Sequence, residues 1–316
     1  MFRMWELEKE RDRVMVPGKP LKVVTGAFGF SGGYIARRLL ALGERVRTLT
    51  NHPRSSAPCE VAPLDFREPE QLARDLTGAD VLYNTYWVRF AHGQVNHEGA
   101  VENTKLLIRA AEQAGVKRIV HISITNPSYD SPLPYFKGKA AVEAMVRSSS
   151  LSYAILRPAV VFGEEDILIN NIAWLLRRFP LFAIAGRGDY GLQPIFVEDL
   201  AELAVESGHS RENLVIDAVG PETYEYEDLV RLIRSTVGSR SRIVHVSPSF
   251  LSFASWFLGR LVHDVVLTKD EIRGLMANLL VSTQPPTGKT SLRAWLQRNA
   301  GGLGAGYASE LKRHYR

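Results

Sequence analysis

An α/β fold, a doubly wound parallel sheet with a smaller, partly interleaved C-terminal region, is predicted by three observations. Short apolar runs rich in β-branched residues alternate with stretches whose apolar residues recur at helical spacing. Glycines stand where several of the runs give way to the next. The chain of 316 residues with 45% hydrophobic content is long enough for one large core and an appendage. The expected division is an extension over 1–20, a main domain over 21–246 with insertions at about 164–195, and a helical region over 247–316.

The chain is organised around Lys22 to Leu42. Val23, Val24 and Thr25 read as the end of a buried strand, Gly26, Gly29 and Gly32 follow at three-residue steps, and Ile35, Leu39 and Leu42 recur at helical spacing. Strand, glycine turn and helix are the order a dinucleotide site needs. The first glycine turns out of the strand, the second leaves the backbone open to a pyrophosphate, and the third lets the helix lie close to the sheet. The helix start adds unpaired N–H groups and the positive end of its dipole. Phe28, Phe30 and Ser31 share this turn and join Gly26, Gly29 and Gly32 as candidate cofactor contacts. A glycine-rich turn can also merely join a strand to a helix, but the context on both sides favours a nucleotide.

Gly43 closes the first helix and Arg45 to Leu49 forms a second strand. An NAD site places an acid roughly 20 residues past the glycines to bind the ribose hydroxyls. Here Thr50, Asn51, His52, Pro53 and Arg54 include no acid, and Asn51 with Arg54 suits a ribose 2′-phosphate. NADP(H) is therefore the expected cofactor, with NAD(H) second; the alternative for Arg54 is an ordinary loop arginine. Glu60 to Leu64 leads into Asp65 and Phe66, a carboxylate for the adenine amino group and a ring to pack beside it, unless Asp65 instead caps the helix Pro69 to Leu76. Asp80 to Asn84 is a fourth strand, which puts Asn84, Thr85 and Tyr86 at the carboxyl edge where ligands of open α/β sheets bind.

Asn103 to Ala114 reads as an amphipathic helix closed by Gly115, and Arg118 to Ser123 as an apolar strand. After a proline-rich loop, Tyr135 and Lys139 stand four apart at the head of a helix and so share one face. An ammonium beside a phenol favours the phenolate, which makes Tyr135 a candidate acid/base, while Ser123 at its strand end could hold the substrate oxygen. A tyrosine and a lysine at this spacing often form only a surface pair; the serine strand and the upstream glycine turn favour the catalytic reading. Ser152 to Leu156 continues into Arg157 and Pro158, the last a further candidate cofactor contact.

Asn213 to Val219 and Arg242 to Val246 are the last strands, with a helix at Asp228 to Val237 between them. Beyond Phe250 the texture is helical only, and Thr268 with Glu271 forms a capping box. Thr287, Gly288, Lys289 and Thr290 imitate a phosphate loop, but Thr283 stands where its first glycine belongs and no strand precedes it.

The formal charge of +5 is scattered among acids with no run of five cations, so nucleic acid is not an expected partner. The single cysteine, Cys59, excludes an intrachain disulfide and fits a reducing, cytoplasmic location; no metal site is expected. Phe250 to Leu267, the most apolar stretch, is broken by Arg260, His263 and Asp264, so no transmembrane segment is expected. The first 20 residues are too charged for a signal peptide and read as a surface helix, a tail, or sequence upstream of a start at Met15.

With Gly26-x-x-Gly29-x-x-Gly32, Asp65, Ser123, Tyr135-x-x-x-Lys139, Leu156-Arg157-Pro158 with Gly163, and Phe196-Val197-Glu198-Asp199 in this order, the chain resembles the extended and atypical short-chain dehydrogenase/reductases over about residues 20–246. It is similar to their NmrA-like and nucleotide-sugar-epimerase-like members and to the nucleotide-binding accessory subunit of respiratory complex I. The resemblance implies a Rossmann domain with a substrate-side region. It implies a bound nicotinamide cofactor, Tyr135 as acid/base, Lys139 supporting it and binding the nicotinamide ribose, and Ser123 positioning the substrate oxygen. The departure is at Ile124, Thr125 and Asn126, where the sugar-nucleotide enzymes carry clustered serines or threonines. The expected function is NADP-dependent oxidoreduction or epimerisation on a small carbonyl or hydroxyl compound. The alternatives are a redox sensor or a nucleotide-binding structural subunit. The partner expectation is a small-molecule substrate and a monomer or homodimer, with peripheral-membrane or respiratory-complex association left open.

Overall fold

The computed structural model describes residues 18–54 and 56–314. The extension expected over 1–20 lies almost wholly outside them. Among the described residues two compact units emerge, one of residues up to 156 with 201–216 and one of 157–200 with those from 217 on. The boundaries fall inside the span 21–246, because the chain leaves the first unit after Leu156 and re-enters it at Ala201.

In the first unit, β1 (Leu21–Thr25), α1 (Phe30–Ala41), β2 (Arg45–Thr50), β3 (Glu60–Pro63), α2 (Pro69–Leu76), β4 (Ala79–Asn84), α3 (His97–Gln113), β5 (Arg118–Ile122), α4 (Pro134–Ser148) and β6 (Ser152–Pro158) alternate as the periodicities predict. The sheet order is β3-β2-β1-β4-β5-β6, with β11 (Leu214–Ala218) next to β6. Every pairing from β3 to β6 is parallel. β1 is fully buried along its length, which is why it reads as an unbroken apolar run rather than an alternating one. The order reverses at β1, whose neighbours are β2 on one side and β4 on the other, and it is at the carboxyl ends of the strands at such a switch point that open α/β sheets bind ligands.

One helix starts where its cap allows. α3 begins at His97, six residues before the expected Asn103, because the Asn96 side chain accepts from the Gly99 N–H at 2.7 Å. Arg118 on β5 donates to the carbonyls of Ser207 and Glu212 at 2.8 and 2.7 Å, which ties the end of α6 (Val197–His209) to the sheet.

The second unit has its own core. β7 (Val161–Phe162) pairs in parallel with β10 (Ile195–Phe196), β8 (Leu181–Ala185) with β13 (Arg242–Val246), and β9 (Gly191–Leu192) runs antiparallel to β12 (Tyr224–Glu225). Apolar side chains of α5 (Leu168–Arg178), α7 (Tyr226–Thr236) and α10 (Leu292–Asn299) fill the space between them, with Phe162, Leu229, Ile233 and Leu296 wholly enclosed. α8 (Pro248–Val262), α9 (Lys269–Met276) and α11 (Glu310–His314) complete it. Thr268 and Glu271 form the expected capping box at the start of α9. The false phosphate loop is a structural turn: Asp199 accepts from the N–H groups of Lys289 and Thr290 at 2.8 and 2.7 Å. Among the described residues no helix is long and apolar enough to cross a membrane.

Candidate functional site

Gly26 sits at φ +68° immediately after β1, a left-handed position that a residue with a Cβ adopts only under strain. The Gly29 N–H closes the turn on the Gly26 carbonyl at 2.8 Å, and Gly29 is the N-cap of α1. Being glycine, this cap offers no side chain to its own helix, and no acid stands in the first turn. The helix start therefore keeps donors for an outside anion. Gly32 is packed against the turn itself: a Cβ there would lie 2.9 Å from the Gly26 carbonyl carbon and 3.1 Å from the Thr25 oxygen. This is close helix–strand contact of the kind a pyrophosphate cradle requires. Phe28, Phe30 and Ser31 lie in this turn and first helical step, none of them fully buried.

Arg54 folds back onto the same turn. Its Nη2 donates to the Phe28 carbonyl at 3.2 Å and its guanidinium lies 5.1 Å from the centre of the Phe28 ring. Exposed Asn51 stands at the end of β2 beside it in sequence. Asp65, the expected adenine contact, pairs with its near neighbour Arg67. Both of its oxygens hold Arg67, at 2.8 and 2.5 Å, and this hydrogen bonding lowers its pKa to about 2. Phe66 packs on the Tyr86 ring with centroids 4.9 Å apart.

Asn84, Thr85 and Tyr86 anchor the site more than they face it. Asn84 is fully buried; its Oδ1 accepts from the Thr25 hydroxyl at 3.2 Å and from the Tyr86 N–H at 3.1 Å. Its Nδ2 donates to His121 Nδ1 at 3.1 Å, which leaves the proton of the neutral ring on Nε2. That nitrogen is buried with no hydrogen-bond partner, and burial first, then Lys139, holds the His121 pKa well below its ordinary value. Thr85 donates through Oγ1 to the Thr25 carbonyl at 2.5 Å, and the Tyr86 hydroxyl accepts from Asn103 at 2.9 Å.

Tyr135 is half-buried at the head of α4, with its ring edge-on to Trp87 at 5.8 Å and to His97 at 5.6 Å. Lys139, one turn on, points inward. Its Nζ donates to the Ile122 carbonyl at 2.8 Å and lies 4.5 Å from the centre of the Trp87 ring. Burial lowers its pKa to about 7, partly offset by Glu143. Burial thus disfavours the ammonium form that the Tyr135–Lys139 spacing calls for beside the phenol. Ser123 is 3% exposed and donates to the Glu143 carboxylate at 2.6 Å. Tyr135, Lys139 and Glu143 thus form one row on α4, its inner end fastened to the end of β5. Pro158, the buried last residue of β6, belongs to the second unit.

Three contributors were not singled out as site residues. Trp87 packs so tightly on α4 that a Cβ on Gly138 would meet its ring at 2.9 Å. Glu143 continues the Tyr135–Lys139 row at the same four-residue step, which was the available signal. Nothing in the sequence marks His121, a polar residue inside an apolar strand.

A family model described as NAD(P)H-binding matches residues 26–169. Among curated relatives, the mitochondrial subunit 9 of the NADH dehydrogenase (ubiquinone) alpha subcomplex of Arabidopsis thaliana is 26% identical over 239 residues, 70% of this chain and 59% of its own length. The mouse protein of that name is 24% identical over 287 residues, 83% of this chain and 73% of its own. Among solved structures, a triphenylmethane reductase of Citrobacter with NADP(H) superposes with a TM-score of 0.72 at 19% identity, covering 89% of this chain and 99% of that one. An NADPH-dependent quinone oxidoreductase of Escherichia coli gives 0.71 at 20% identity over 88% and 99%. The partner expectation is corrected here: a self-contained monomer or homodimer does not fit relatives that are named as subunits of a respiratory dehydrogenase. The glycine turn, the parallel sheet that carries it and the family match agree on a Rossmann-like α/β fold with an NAD(P)H-binding region over residues 26–169.

Proposed function

We propose that this protein binds NADP(H) and carries out oxidoreduction, or epimerisation through a transient keto form, on a small carbonyl or hydroxyl compound, with Tyr135 moving the proton. The observation that carries the reading is the row Tyr135, Lys139 and Glu143 on α4, which ends on Ser123 in the same unit as the glycine turn. When bound, the nicotinamide would supply or take up the hydride. Gly26, Gly29 and Gly32 would leave room for the pyrophosphate, the first N–H groups of α1 would bind it, and Arg54 would pair with the 2′-phosphate. Tyr135 would donate its phenolic proton to the substrate oxygen during reduction and recover it from solvent. Lys139 would orient the ribose and Glu143 would hold Ser123 in place. The buried Cys59 suits a reducing compartment such as the cytoplasm.

A second reading is a nucleotide-holding subunit of a larger redox assembly. It is favoured by the subunit names of the relatives and by the Trp87 ring over Lys139. Tyr135→Phe separates the two readings. An enzyme loses roughly 10²–10⁴-fold in turnover with unchanged NADPH affinity. A holding subunit shows no turnover of aldehydes, ketones, quinones or nucleotide sugars in either form, yet retains the dinucleotide. Undiminished activity in the phenylalanine variant would remove Tyr135 from the mechanism.

A further inference from the structure

Among the described residues, thirteen large apolar side chains are exposed, and five of them stand on α8 in the second unit. They are Phe250, Phe253, Trp256, Phe257 and Leu261, each 55–62% exposed. At 100° per residue they fill one sector of the helix. Ser255 and Gly259, the residues α8 buries, lie on the opposite side. This inverts the usual arrangement, in which a surface helix turns its large apolar residues inward. Gly259 is fixed there: a Cβ on it would sit 2.5 Å from the Asp264 carbonyl oxygen. The helix is held through Ser255, Gly259 and the half-buried Leu251, Leu258 and Val262, and its aromatic bulk faces out.

We propose that this face of α8 docks into the headgroup layer of an anionic phospholipid bilayer, with the helix lying in the plane of the surface. Two observations choose lipid over a second copy of the chain. Five side chains of this kind, a little over half exposed, present roughly 550 Å². A standard dimer interface needs about 800 Å² from each partner. The charge also fits: α8 has no acidic residue, and Arg260 lies within the apolar sector with its guanidinium 4.9 Å from the Trp256 ring. A Trp and Phe face carrying a cation beside its aromatic is the composition of an interfacial helix on an anionic surface.

The test is flotation of the full chain, with NADPH present, on vesicles of phosphatidylcholine and phosphatidylglycerol mixed at roughly three to one. Wild type is expected to float with these vesicles and much less with phosphatidylcholine alone. Phe253→Ser combined with Phe257→Ser should weaken the partition at least roughly tenfold, and Arg260→Glu about fivefold on the anionic vesicles only. The substituted side chains are all on the exposed face of α8, so an unchanged urea-unfolding curve certifies the fold; should the double variant alter it, Phe253→Ser alone carries the same test. Failure of wild type to float overturns the proposal. So does equal flotation of the serine variant, or a concentration-dependent dimer of wild type that the variant abolishes.

Discussion

Gly32→Ala puts one methyl group where α1 meets the glycine turn. The new Cβ would fall 2.9 Å from the Gly26 carbonyl carbon and 3.1 Å from the Thr25 oxygen. These are backbone atoms of a turn held by the bonds from Gly29 N–H to Gly26 and from Gly26 N–H to Leu49, so no flexible side chain can give way. Overpacking of this kind costs about 1–3 kcal/mol, and an unyielding backbone places it at the upper end. Alanine returns up to about 1 kcal/mol of helix propensity. The net loss is about 2 kcal/mol, which moves the urea midpoint down by about 1 M. The displaced helix start should also weaken NADPH by about tenfold or more, because its N–H groups no longer converge on the pyrophosphate. Gly33→Ala is the control, since its Cβ would lie 3.3 Å from the Ala27 oxygen and needs only a small adjustment. Urea unfolding and NADPH fluorescence titration on both variants decide the matter. If Gly32→Ala matches wild type in midpoint and affinity, the close helix–strand contact is not what the third glycine is for.

Arg54→Ala should weaken NADPH by roughly 10- to 100-fold and leave NADH unchanged, since only NADPH has a phosphate to lose a charge-assisted partner; equal losses for both in paired titrations would refute the 2′-phosphate role. Lys139 has a folded pKa of about 7, lowered from 10.5 by burial, so the unfolded chain binds more protons between those values and stability rises with pH there. The penalty is fully present below pH 7 and fades towards 10.5. Wild type should therefore gain up to about 1.4 kcal/mol per pH unit relative to Lys139→Met in urea unfolding across this window, and parallel curves would refute it.

The order of strands and helices in the first unit was legible because each signal is local. Apolar runs, the 3.6 period and glycines at left-handed positions, such as Gly43 and Gly115 at φ +71° and +73°, are properties of a few neighbouring residues. The capping box of Thr268 and Glu271 was legible for the same reason. What escaped depends on residues far apart in sequence. Ser123 meets Glu143 across 20 positions, Asp199 captures a turn some 90 positions later, and the unit boundary after Leu156 follows from which core each helix joins. Asp65 shows a local pairing that the reading did not anticipate: Arg67, only two residues on, pairs with a carboxylate whose strand-end position suggested adenine.

The buried polar groups explain how two ends of the candidate site keep a common frame. Thr25, Asn84 and His121 end or nearly end β1, β4 and β5, and all three are fully buried. Burying such groups is costly unless they are paired, so their hydrogen bonds restrict how the three strand ends can sit. The Thr25 hydroxyl also accepts from the N–H groups of Thr85 and Tyr86 at 2.8 and 3.1 Å. This fixes the loop that carries Trp87 to the last residue of the glycine strand. Trp87 in turn packs on Gly138 and covers Lys139. A threonine one residue before the glycine turn therefore sets both the start of the phosphate cradle and the surroundings of the Tyr135–Lys139 row. The same network leaves His121 Nε2 as an unpaired buried donor, and burial first, then the nearby Lys139, keeps that ring neutral.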